Sequence, residues 1–489
     1  MYIATCTNPE DPIIPSSPIV LPYKFPQNSV ETMNLSFRPC SVLLLSLLKV
    51  ATSQDLLWSF TSGDAEERRA ASGVIEHGGF VYVAMNEDYN QEAGGTYNES
   101  YLYQLTLGGE IVKRVPVGTD RDKVGMISKH GADGIVVAPY TVDSNYSGGL
   151  RRFSLPDLTL DWAVPEISIG ERGCPPLVSS TGTIVTGYGG GQLAATSATG
   201  ELLWLVGIRV AGCPILSSDE SAVYITEDTL EDDNSGTQNP VVAFNMENGV
   251  ESSRTVAPDL IGSSLAGPAL SPDGASVYQF RSNGGLARMS AADVTALTVV
   301  PGGEDAGVSA RYNPIISSDG SVCYGGGYIG SPFVAMDLAS VAPNATLLWE
   351  SETTDLDLPV VLMDSDVAES QLIIYDSDQG SLEWRDARTG TVLAKHDGFN
   401  GGFGYQLSMN GGANRLHLAV EGDVHSYSMG SGTVSPAPTF APPTATPTVS
   451  PTDPLPTNPP TPSGAIIAKE ISFMHAVGIT IAVFAGIVV

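Results

Sequence analysis

Residues 175–206 read PPLVSSTGTIVTGYGGGQLAATSATGELLWLV. The stretch divides into four short apolar runs, PPLVS, TIVTGYGG, QLAATS and ELLWLV, separated by Ser, Thr and Gly clusters. Runs of this length, rich in β-branched residues and bounded by turn formers, predict four successive antiparallel strands, A to D. The opening of the stretch recurs. PPLVSSTGTIV from 175, PILSSDESAVY from 214, PALSPDGASVY from 268 and PIISSDGSVCY from 314 each place Pro before a short strand. A tight turn then follows at Ser179, Ser217, Ser271 or Ser317. The intervals are 38, 54 and 46 residues. A repeat of 40–50 residues holding four strands predicts a propeller blade.

Extending the pattern gives eight units. Two weaker ones come first: GVIEH, FVYVAM, YLYQLTL and IVKRVPV, then GMISKH, GIVVAPY, LRRFSL and LDWAV. The seventh is PVVLMD, QLIIYDS, SLEWRDARTG and TVLAKH. The eighth has only three strands, GYQLSM, RLHLAV and VHSYSM. The phrase DLLWSF (55–60) stands ahead of the first unit and repeats the LLW that ends strand D at 202–204 and 347–349. It therefore supplies the missing strand and closes the ring, because a closed ring leaves no open sheet edge between its two ends. The predicted fold is an all-β, eight-bladed propeller over residues 54–430.

The phrase SATGELLW (197–204), echoed by DARTGTVL (386–393) and NMENGVES (245–252), resembles the C-to-D signature of the PQQ-repeat, quinoprotein alcohol dehydrogenase-like β-propellers. In that family A-x-D-x-x-T-G-x-x-x-W recurs, and the resemblance implies that Trp58, Trp162, Trp204 and Trp349 dock between neighbouring blades. It also implies a channel able to hold pyrroloquinoline quinone (PQQ) and calcium, with a vicinal Cys pair, an aromatic floor and an Asp base. The sequence has no Cys–Cys pair and no matching Glu, Asn and Asp set, so PQQ is not expected.

Other chemistry is sparse. Calcium has candidate carboxylates at Asp228, Asp232 and Asp233 in EDTLEDDNSG and at Asp376 and Asp378 in YDSDQG, although acidic turns need no metal. His417 and His425 lie on adjacent strands without a further ligand at zinc spacing. There is no G-x-S-x-G elbow or Walker loop. Cys174 and Cys213 each stand before strand A of neighbouring units, where a disulfide is possible in an oxidising compartment.

The two ends speak about location. Residues 1–32 are Pro-rich and without period. Residues 33–53 then read as a signal peptide, with Arg38, an apolar run from Val42 to Leu48, and small residues at Ala51 and Ser53. Met33 is the expected start of translation. Residues 431–464 hold 11 Pro and 12 Ser/Thr, which predicts an extended stalk of roughly 100 Å. Residues 465–489 end in a 19-residue apolar run, Ile471–Val489, which reads as a GPI-anchor signal or a transmembrane helix. Asn98, Asn145 and Asn344 lie in N-glycosylation sequons.

With 23 Lys+Arg against 54 Asp+Glu, the net charge of −31 excludes a nucleic-acid partner, which needs clustered cations. Length variation concentrates in the B–C connections of unit one (86–100), unit two (139–149) and unit four (226–239). These share one face, opposite the exit of the stalk. The expectation is a membrane-anchored extracellular binding, adhesion or scaffold module that takes a protein or glycan through that face, with a PQQ-dependent dehydrogenase and a wall or coat component as the other readings.

Overall fold

A computed structural model describes residues 55–429 outside the connections 62–69, 91–95, 118–121, 142–148, 168–173, 188–190, 230–238, 256–265, 282–284, 301–309, 311, 329, 339–346, 352–355, 357–360, 364–369, 400–403, 411–414 and 421. The signal-peptide, stalk and tail readings lie outside the described residues. What is described is an eight-bladed β-propeller of eight four-stranded antiparallel sheets, with no helix among the described residues. Strands A of neighbouring blades pack against one another around the axis and strands D lie outermost.

The central strands explain the apolar runs in the sequence. In blade 3, strand B (Ile184–Gly187) and strand C (Leu193–Thr196) are buried along their whole length. Each is covered on both faces by a neighbouring blade, so neither needs polar alternation. The hydrophobic clusters accordingly form between blades. Val185, Leu193, Ala195 and Trp204 of blade 3 pack on Val223, Ile225, Val242 and Phe244 of blade 4. Each such side chain, fully buried, contributes about 1.5–3 kcal/mol, so a blade is stable only when it has neighbours.

The ring closes between non-adjacent segments. Blade 8 takes strands A to C from Gly404–Asn410, Arg415–Val420 and Asp423–Ser428, and its outer strand from Leu56–Thr61. Phe60 faces Val424 and Thr61 faces Asp423 in register, and the Ser428 amide donates to the Asp55 carbonyl at 2.9 Å.

The docking tryptophans have a specific receptor. Trp58, Trp162, Trp204 and Trp349 of blades 8, 2, 3 and 6 each cover a glycine in the C–D turn of the next blade: Gly109, Gly200, Gly249 and Gly390. Trp58, Trp204 and Trp349 also donate Nε1–H to carbonyls of the same turns, at Leu107, Met246 and Ala387. These glycines have φ between +67° and +85°. A Cβ on Gly200 would lie 2.6 Å from Cδ2 of Trp162. Glycine is required at this position twice over, for its left-handed backbone and for the close approach of the indole.

Gly200→Ala should therefore cost about 2–4 kcal/mol, combining left-handed strain with overpacking. Gly78→Ala has φ +56° but open space around the new methyl, and should cost only about 1 kcal/mol. Chemical denaturation of the two variants checks the difference; equal losses would mean that the indole is not what demands glycine.

Candidate functional site

Strands A line the channel, where the resemblance implies that chemistry would sit. Strands A are irregular: register shifts fall between Ala71 and Gly73, Val124 and Ile127, Ala211 and Ile215, and Gly404 and Gln406. A bulge removes backbone groups from the ladder, and these need other partners. Two side-chain amides supply them. Gln406 of blade 8 accepts from the Val74 and Ile127 amides at 3.1 and 3.3 Å and donates to the Ile127 carbonyl at 3.2 Å, joining blades 8, 1 and 2. Asn313 of blade 6 accepts from the Cys213 and Gly267 amides at 3.1 and 3.0 Å and donates to the Cys213 and Pro268 carbonyls, both at 2.8 Å.

Blades 4 and 5 approach so closely there that a Cβ on Gly212 would lie 1.9 Å from the Gly267 nitrogen. Cys174 and Cys213 are joined by a disulfide with Cα atoms 5.3 Å apart, tying blade 3 to blade 4. The cleft beside it, lined by Ala138, Pro175, Thr186 and Pro214, is too tight to admit a water. No group of three His, Cys, Asp or Glu suited to a metal forms among the described residues. Among the described residues, the carboxylates named as calcium candidates are not brought together with one another.

The B–C face differs from its sequence reading at one point. Residues 86–100 were expected as a long connection. Instead strand B (Phe80–Asn90) and strand C (Thr96–Thr106) of blade 1 run 11 residues each and stay paired out to Asn90 and Thr96. The strands of blade 3 have four residues there. On either side of the segment's Gly-rich centre, which lies outside the described residues, alternating Tyr and polar residues continue the ladder. A paired arm therefore projects from blade 1.

Its base is braced. Arg114 stacks 3.4 Å from the centroid of Tyr101, contacts Glu87 at 2.7 Å and lies 3.7 Å from Glu99. The Tyr103 hydroxyl donates to the other oxygen of the buried Glu87. The Tyr101 hydroxyl donates to Glu99 at 2.5 Å, and that bond raises its pKa. On the opposite face Asn86 accepts from the Val124 amide at 2.6 Å and donates to its carbonyl at 3.1 Å, fixing the arm to blade 2.

The remaining sequence candidates are dispersed. Asp228 is half-buried beside Arg209 at 3.5 Å, and burial raises its pKa. The buried Asp376 accepts from the Gln379 amide at 3.0 Å in the B–C turn of blade 7, and burial raises it too, while Asp378 is exposed. Asp232, Asp233, Asn145 and Asn344 lie outside the described residues. Asn98 falls within strand C of the blade 1 arm.

His417 and His425 are displaced by one residue across their strand pair and serve the ring closure separately. His417 Nε2 meets the buried Glu76 at 3.0 Å. His425 Nδ1 lies 2.9 Å from Ser59 Oγ on the closing strand. The amides Asn86, Gln406 and Asn313 were not anticipated. Nothing in the sequence marks them, because their partners are backbone groups in or beside strands A far away in the chain.

No family model and no curated protein matches the sequence. Solved structures do. BamB from Moraxella catarrhalis is similar at 14% identity and TM-score 0.52, over 77% of this chain and 98% of that one. Sqt1 from Chaetomium thermophilum is similar at 12% identity and TM-score 0.59, over 77% of this chain and all of that one. The computationally designed Ika8 protein is similar at 12% identity and TM-score 0.51, again over 77% of this chain. At these identities the likeness is one of fold.

Two expectations follow, one for an interblade tie and one for the closure. Asn313→Ala leaves four half-buried backbone groups without their partner and should cost about 2–3 kcal/mol in urea unfolding. Burial lowers the pKa of His425, against a smaller opposing effect of Asp423, and Phe399 covers its ring at 5.0 Å. The unfolded chain binds a proton at this residue below about pH 6.5, whereas the folded chain waits for lower pH. The contribution of His425 is thus complete above that pH and is lost as pH falls toward the folded value. Unfolding free energy should drop more between pH 7.5 and 5.5 in the native protein than in His425→Asn. Parallel pH profiles would show that His425 does not report on closure.

Proposed function

We propose that this chain is a cell-surface, extracellular β-propeller that acts as a binding or scaffold module through its B–C face, with a protein or glycan ligand. The observation that carries the reading is the braced arm of blade 1. An 11-residue strand pair, stacked by Arg114 and fixed to blade 2 by Asn86, presents a rigid projection where most blades end in short connections. Binding sites sit on projections held by a rigid scaffold. Anchorage by residues 465–489 and glycosylation at Asn98, Asn145 and Asn344 complete the proposal, on the sequence motifs alone. Both ends of the propeller chain lie at the C–D end of blade 8, the end opposite the B–C connections.

Replacing residues 88–98 with Asn-Gly joins the directly paired Glu87 and Glu99 through a two-residue turn. The shortened protein should keep its melting temperature within about 2 °C, since the interblade core is untouched. It should also lose retention of ligands found with the native protein on glycan arrays and cell-surface extracts. Undiminished retention would remove the arm from the proposal, and no ligand for the native protein would remove the binding role.

A further inference from the structure

We infer that the outer strand of blade 3 is a self-pairing edge, through which two copies of this chain join as a two-fold dimer. Strands D are the sheet edges of the ring, and an exposed edge offers unpaired backbone groups to any extended chain. Most of these edges carry charges that discourage such pairing: Lys113 and Arg114 in blade 1, Asp161 in blade 2, Glu251 and Arg254 in blade 4, Asp293 in blade 5, Glu350 in blade 6, Lys395 and Asp397 in blade 7. Blade 3 has LLWLV (Leu202–Val206), with no charge and with Leu203 and Leu205 at 45% and 42% exposure.

The flanks of this strand set it apart from the uncharged closing strand of blade 8. From Glu201 to Arg209 the odd-numbered residues are all exposed and the even-numbered ones are buried or half-buried. One face therefore reads Glu201, Leu203, Leu205, Gly207, Arg209: an acid, an apolar centre and a base. An antiparallel copy centred on Leu205 brings Glu201 opposite Arg209 twice, Leu205 opposite Leu205, and Leu203 opposite Gly207. A side chain at Gly207 would meet nothing within 4 Å, which leaves room for the partner's leucine. Arg209 stays 46% exposed while lying 3.5 Å from Asp228, so its guanidinium is open to a second carboxylate.

Charge complementarity of this order fits a second copy better than a generic extended peptide. With a net charge of −31, two copies repel across most of their surfaces, and an uncharged stripe with opposite charges at its ends is where they can meet. The contact is isologous, the arrangement of most two-fold dimers, and strand addition gives it both backbone bonds and side-chain register.

The full-length chain, kept in detergent because of its apolar C-terminal run, should show a dimer mass by light scattering at micromolar concentration. Leu205→Lys should be monomeric with an unchanged melting temperature. Leu205→Cys places the thiol beside its own copy and should yield a disulfide-linked dimer under mild oxidation. Leu393→Cys, equally exposed on blade 7, should not. Glu201→Arg and Arg209→Glu should each weaken the dimer at least tenfold, and the double exchange should restore it. A monomeric native chain without a Leu205→Cys cross-link would overturn the inference. So would equal cross-linking at Leu393→Cys, capture of a different polypeptide by Leu205→Cys, or a double exchange no better than the singles.

Discussion

A flat tryptophan lying on a glycine of the next blade is the contact on which the ring depends. No blade has a core of its own; the apolar clusters fall between blades, so the chain must fix the angle between neighbours. The C–D phrase does so in both directions. Gly200 receives Trp162 from the blade before it, and Trp204, four residues on, covers Gly249 in the blade after it. The same spacing holds where tryptophan is absent. Lys113, four residues after Gly109, donates to the Asp157 carbonyl in the next C–D turn. Ser253, four after Gly249, accepts from the Val294 amide of the next blade. The position calls for a group that can meet a turn backbone, and tryptophan meets it with the largest buried area.

The interface between blades 7 and 8 cannot be made this way. Blade 8 has no continuous C–D turn, because its strand C is the end of the propeller chain and its strand D the beginning. Blade 7 therefore has no turn glycine to cover, and the docking position, four after Gly390, is Ala394. The bulk is found across the ladder, where Trp384 pairs with Ala394 and packs edge-on to Tyr427 of blade 8, 5.6 Å away. Its Nε1–H is buried without an acceptor. The indoles of Trp58, Trp204 and Trp349 donate to a turn carbonyl, and a turn is what this interface lacks. The fifth tryptophan, which fitted no D strand in the sequence, is thus a consequence of closing the ring with its two ends.

The blades themselves were legible because propeller strands leave local marks. Ser179, Ser217, Ser271 and Ser317 cap their own tight turns, and Leu56–Phe60 repeats a phrase found twice elsewhere. What escaped reading is non-local. Asn313 bonds to residues 100 and 46 positions earlier in the chain, and Gln406 to one 332 positions earlier; no spacing rule connects them. The arm of blade 1 escaped for a different reason. Its polar residues and Gly-Gly pair read as a loop, and only cross-strand pairing such as Tyr89 with Tyr97 distinguishes extended strands from a connection.

These features bear on where function can reside. In a propeller the strands A hold the most constrained positions, and here the amide and disulfide ties spend their side chains on joining blades. A chain that uses its axis to hold itself together leaves the loops and the outer edges free to vary. The uncharged edge of blade 3 lies away from the axis on a strand that the interblade core already holds, and the arm rises from strands held at their base. A partner strand added at the blade 3 edge would meet a backbone that is already ordered, at little cost in ordering entropy. That is the advantage of building contacts on a closed ring: rigidity comes from the interfaces between blades, and the surface is released from supplying it.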